Sequence, residues 1–234
     1  MEAGKPFSVK EFLLGTAITT SLFLLVVLSP VVGFVFSLLA PLPLAFFTWR
    51  MGRAAGIAMY LLSFGLLAAV FRIGGFVESL PFFLVLGSAG ILIPEVLHRR
   101  LGIERTVGLS VAVFLALIAG VLAGYRQVLE RSVPEIVRGY VGDSIRYSIA
   151  LYEEIGLPQE QIDQLRESAP EVAAWIVHHG LALLVTGVTF FIWLNVMGLR
   201  LLCRDRDPSF PDFGDLARWK MPDGVVWFVI AAGV

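Results

Sequence analysis

Charged residues in this chain fall in clusters, and the stretches between them are apolar and long. The first such stretch, residues 12–49, carries no formal charge. One bilayer crossing takes about 20 apolar residues, so this run holds two. Ser29-Pro30 stands where the chain has to turn back, and Pro41 and Pro43 interrupt the second half. The pattern predicts spans at 12–28, 31–49, 54–71, 80–97, 106–125 and 171–199. A seventh apolar run, 222–234, ends after about 13 residues, short of a crossing, and is expected to be a truncated span. The fold expected is all-α: a polytopic transmembrane helical bundle of about seven segments, forming a single integral membrane domain over residues 1–234.

Between the fifth and sixth spans the pattern changes from uniformly apolar to amphipathic. Over residues 126–170, Val133, Val137, Tyr140, Val141, Ile145, Ile149 and Tyr152 recur at helical spacing, with Glu135, Arg138, Asp143 and Arg146 between them. Gly156-Leu157-Pro158 ends that helix, and residues 159–168 suit a short second one. This insertion reads as an extracytoplasmic helical cap resting on the spans or the lipid surface; its alternative role is a lid over a ligand cavity. Sidedness follows from Lys and Arg. With two crossings in residues 12–49, Lys5, Lys10, Arg50, Arg53, Arg99, Arg100, Arg105, Arg200, Arg204, Arg206, Arg218 and Lys220 share one side. The positive-inside rule makes that side cytoplasmic and places the protein in the cell (inner) membrane with its N-terminus inside.

Composition agrees with a lipid environment. The 234 residues are 57% hydrophobic and 16% charged, with mean hydropathy +0.82, whereas soluble domains average about 25% charged residues. Eighteen basic residues against 19 acidic ones leave a net charge of −1, so no overall field attracts nucleic acid, and none is expected as a partner. Cys203 is the single cysteine, which excludes an intrachain disulfide and a cysteine-based metal site. Lys5 and Lys10 ahead of an apolar core imitate a secretory signal, but the apolar run continues past Leu28, as a retained span does.

Candidate chemistry is sparse. Pro41 and Pro43 each remove a backbone donor, and carbonyls freed at membrane depth need protein or a wet cavity to satisfy them. Broken helices of that kind hold binding sites in many transporters, and the simpler reading is a kink. His178 and His179 are the only ionisable residues inside the predicted sixth span. Adjacent helical positions point about 100° apart and do not chelate one metal well. At least one of the two is expected to face the bundle interior, as a packing residue or as part of a solute or proton path. Glu78, near Arg72, flanks the predicted outer ends, and Glu95 and Asn195 lie near inner ends where interfacial solvation accounts for them. Ala112, Ala116, Gly120 and Gly124 form a smooth stripe on the fifth span, Gly15 and Thr19 with the offset pair Ala17 and Ser21 a weaker one on the first, and Gly52 and Gly56 one more small pair; they read as helix packing or partner docking. HExxH, GxSxG and GxxxxGK[ST] motifs are absent. The expectation is therefore no enzyme, no ATPase within this chain, no cofactor and no bound metal.

The segments Ala40-Pro41-Leu42-Pro43-Leu44, Arg50-Met51-Gly52-Arg53 with Gly56, and Trp219-Lys220-Met221-Pro222 followed by Val226-Trp227 carry a resemblance. With this span layout, the chain resembles the YybS-like family of bacterial membrane proteins. That family is similar in architecture to the substrate-binding S components of energy-coupling-factor transporters. The resemblance implies a small-solute-binding membrane subunit that works with a separate coupling protein and ATPase subunits. It also implies that Ala17 and Ser21 lie on the face that docks the coupling protein. The alternative reading is a non-transporting cell-envelope scaffold.

Overall fold

The computed structural model describes residues 8–28, 30–75, 77–129, 133–204 and 207–214. Within them the chain forms eight α-helices: α1 Val9–Leu28, α2 Pro30–Leu39, α3 Pro41–Met51, α4 Arg53–Gly74, α5 Leu80–Leu97, α6 Ile103–Leu129, α7 Val133–Glu154 and α8 Gln159–Cys203, with a 3-10 turn Val77–Ser79 before α5. Five of them (α1, α4, α5, α6 and α8) are long and apolar enough to cross a membrane, and Val35–Met51 is a shorter apolar stretch. The expected seventh segment, 222–234, lies outside the described residues.

The chain does reverse between α1 and α2; Ser29 of the expected turn lies outside the described residues. A Cβ placed on Gly33 would lie 2.3 Å from the Val26 carbonyl, so α2 folds straight back onto the end of α1. At the far end of the pass, a Cβ on Gly15 would meet Phe47 of α3 and Met59 of α4 at 2.7–2.8 Å. Thus α2 and α3 in series return the chain to where α1 began. One residue, Gly52, links α3 to α4 at φ +88°, a conformation that glycine adopts without penalty.

Helix α5 reverses α4, α6 reverses α5, and α8 returns alongside α6, so the chain comes back to the same end of the bundle after α3, α5 and α8. There Arg50 pairs with Glu11 at 2.9 Å and Arg53 with Glu95 at 3.5 Å. Trp49 donates through Nε1 to Asp207 at 3.2 Å, stacks on His98 with centroids 4.4 Å apart, and packs on Phe210. The core between the ends is apolar and aromatic: Phe23, Phe71 and Phe83 meet beside Leu67, Leu86, Ile93, Ile192, Val196 and Leu199. Glycines let the helices approach. Cβ atoms on Gly56, Gly87 and Gly90 would overlap Thr48, Tyr60 and Leu44 at 2.3, 2.5 and 2.8 Å.

Two expectations are corrected. The short helix 159–168 and a separate span from 171 are one helix, α8, 45 residues long, or about 67 Å at 1.5 Å per residue. Pro170 sits inside it at an exposed position. The Arg166 carbonyl that it deprives of a partner lies at the surface, where solvent satisfies it, so the helix continues. Secondly, α7 does not lie over the spans. It pairs with the first half of α8 as an arm leaving the end of the bundle opposite the charged one, and Gly156 at φ +78° closes the turn between them. The turn is a Schellman closure, in which the Leu157 N–H reaches the Tyr152 carbonyl at 3.1 Å.

Candidate functional site at a broken helix

The break between α2 and α3 falls at Ala40, which is fully buried. Pro41 has no N–H for the Ser37 carbonyl, and the Ala40 N–H approaches that carbonyl instead, at 3.4 Å. Pro43 likewise offers nothing to Leu39. Between these two carbonyls, Leu38 finds a partner on another helix. Asn195 Nδ2 of α8 donates to the Leu38 carbonyl at 2.7 Å and to the Phe191 carbonyl at 2.9 Å. Asn195 is fully buried. Its expected interfacial solvation is therefore corrected: the side chain is buried and its amide serves the interrupted backbone. Gly198, one turn further along α8, makes room for Leu42, with a built Cβ 3.1 Å away.

The site keeps polar capacity in reserve. Asn195 Oδ1 is buried and has no hydrogen-bond partner among the described residues, and the same holds for the hydroxyls of Thr19, Thr20, Thr48 and Ser110. Thr16 is satisfied by the Phe12 carbonyl at 3.0 Å, and its own carbonyl is approached by the Ser63 hydroxyl at 3.5 Å. A buried amide oxygen without a donor is costly, and natural sites of this kind accept a hydrogen bond from water or solute.

His178 and His179 are not part of this site. Both are exposed, against the expectation that one faces the interior. His179 lies against the Trp175 ring at 4.6 Å, with Nδ1 3.0 Å from the Trp175 carbonyl. Seventeen residues of α8 separate His178 from Asn195, about 25 Å of helix. The physical reason lies at the other end of the helix. Arg200 belongs to the charged end, and the ionisable-free run 180–199 preceding it measures ~30 Å, one hydrocarbon thickness. The histidines thus fall at headgroup level and not two turns into the bilayer.

Of the other candidates, Pro41 is buried and Pro43 half-buried at the break. Glu78 belongs to the 3-10 turn, and its side chain is outside the described set. The packing stripe on α6 turns outward: Ala112, Ala116, Gly120 and Gly124 are all exposed, and nothing lies within 4 Å of a Cβ built on either glycine. The α1 stripe divides, with Gly15 and Thr19 buried and Ala17 and Ser21 exposed. No residue pattern singled out Asn195. The available signal was an amide within the otherwise apolar run 180–199, three residues before a glycine.

Alternating apolar helices with their charges gathered at one end, closed over a satisfied helix break, define a polytopic α-helical membrane protein. A family model described as "Predicted membrane protein (DUF2232)" matches residues 17–234, and the chain belongs to that family. No curated protein and no solved structure matches it.

Proposed function

We propose that the protein is a small-solute-binding membrane subunit of the transporter type, without an ATPase of its own, whose binding centre is the break at Pro41 and Pro43. The observation that carries this reading is Asn195: fully buried, donating to the freed Leu38 carbonyl, with Oδ1 left to accept from a solute. Broken helices at membrane depth expose such carbonyl and amide groups for neutral or cationic polar solutes. Leu42 against Gly198 closes the break on one side, so solute entry needs α3 and α8 to part there. The kinship with YybS-like proteins and the S-component architecture is part of the same reading, as are a cytoplasmic N-terminus, an inner-membrane location and the absence of enzymatic chemistry. Exposed Ala17 and Ser21 are then the face for a coupling protein that brings separate ATPase subunits.

The test is thermal unfolding of the purified protein against vitamins, nucleobases and small cations. A ligand of the folded state raises Tm by mass action. The expected outcome is a concentration-dependent rise in the native protein that is lost in Asn195→Leu. A panel without response, or a response that survives Asn195→Leu, removes the break as a binding centre.

A second reading, a cell-envelope scaffold, is favoured by a different observation. The Ala112, Ala116, Gly120 and Gly124 face is smooth, at lipid depth, and covered by no described part of the chain. In that case Gly120→Leu abolishes capture of a co-purifying membrane protein and leaves solute-induced Tm shifts intact. Unchanged capture excludes that face as the contact.

A further inference from the structure

Where the arm meets the bundle, α7 and α8 leave a cavity of about 490 Å³ lined by Arg138, Pro170, Ala173, Ala174, Val177 and His178. It continues through Arg138, Pro170 and Ala173 into a groove of about 640 Å³ that climbs the arm. The other two arginines of that groove are engaged with its two carboxylates, Arg146 with Asp143 and Arg166 with Glu153. Arg138 has no ion pair among the described residues, and no carboxylate lines its cavity.

The height of the cavity decides what it can meet. Residues 180–199 fill one hydrocarbon thickness, so His178 and Arg138 stand at the headgroup layer, with Trp175 one turn above as an interfacial aromatic. Below His178, at the i+3 and i+7 positions of α8, Leu181 (76% exposed) and Val185 (39%) continue the same face towards the bilayer centre. A cation over apolar walls, above a lipid-facing apolar stripe, is complementary to an amphiphile with a negative head.

We propose that this cavity is a site for an anionic phospholipid of the arm-side leaflet, with its phosphate against Arg138 and His178 and an acyl chain along Leu181 and Val185. A guanidinium binds phosphate through paired N–H donors, and at the headgroup layer it does so without leaving its own aqueous contact. The site is distinct from the helix break and independent of what binds there.

The experiment compares Tm in nanodiscs of phosphatidylcholine alone with nanodiscs in which a minority of the lipid is phosphatidylglycerol. Native mass spectrometry of the detergent-released protein counts the retained phosphatidylglycerol. The expected result is a Tm raised by a few degrees with phosphatidylglycerol and at least one retained lipid per chain. Arg138→Gln removes both, while its Tm in phosphatidylcholine equals that of the native protein. Arg72→Gln, an exposed arginine at the same end of the bundle, keeps both. Equal loss in Arg72→Gln means that diffuse membrane charge is responsible, and overturns the site. So does an Arg138→Gln protein that retains the lipid, or one whose Tm falls as far in phosphatidylcholine. Free glycerol phosphate that reproduces the full Tm rise replaces the lipid by a small soluble anion, and the proposal fails.

Discussion

Asn195 holds two carbonyls with one amide, one on its own helix and one across the break. Its removal strands the Leu38 carbonyl in an apolar interior, whereas the Phe191 carbonyl keeps the helical N–H of residue 195. Asn195→Leu is expected to cost about 1–3 kcal/mol, the usual penalty for stranding a buried polar group, and thermal unfolding in detergent measures it. The glycines make a paired prediction. Gly90→Leu drives a side chain into Leu44, and overpacking of this kind costs roughly 1–3 kcal/mol. A Cβ on Gly120 meets nothing within 4 Å at this exposed position, and Gly120→Leu should lower detergent stability by less than about 0.5 kcal/mol. Comparable losses in the two variants would mean that α6 packs its small-residue face after all. Residue-scale reading of the sequence was weakest here. Small residues four apart identify a surface that permits close approach, but only the fold decides whether another helix arrives. It arrived at Gly15 and Gly56, from the weaker stripe and pair, and at Gly90, which no small-residue spacing had marked.

At the scale of elements, much was legible. Residues 80–97 are α5 to the residue, and Pro30, Gly52 and Gly156-Leu157-Pro158 all fall at helix ends, because proline and glycine act through the local backbone alone. Pro170 defeated the same rule. A proline ends a helix when the freed carbonyl is stranded, and in α8 that carbonyl is at the surface. The histidines were misplaced for a related reason: depth along a helix is set by what anchors its far end, which composition near His178 does not reveal. The proline still has a cost. Pro170→Ala restores an N–H to the Arg166 carbonyl and removes a residue about 3 kcal/mol poorer than alanine in a helix interior. Amide exchange in residues 160–175 should slow, with no change among residues 188–199. Unchanged exchange around 166–170 would show that the helix loses nothing at this proline.

For the whole molecule, the ion pairs Arg50–Glu11 and Arg53–Glu95 lie at one end of the bundle and the arm at the other. With native Cys203 replaced by alanine, a cysteine at Ser148, exposed on the arm, is expected to react with an impermeant maleimide on intact cells. A cysteine at Arg204, exposed at the charged end, is expected to react only after lysis. The reverse pattern inverts the orientation that the arginines and lysines imply.

The length of α8 has one more consequence. A single unbroken rod joins the tip of the arm, outside the bilayer, to the charged end on the opposite surface, and Asn195 rides on it. Anything that grips or tilts the tip therefore acts as a lever whose short end pulls the amide from the Leu38 carbonyl. Between the tip of the arm and that amide there is no loop, only the continuous helix Gln159–Cys203 with Pro170 inside it.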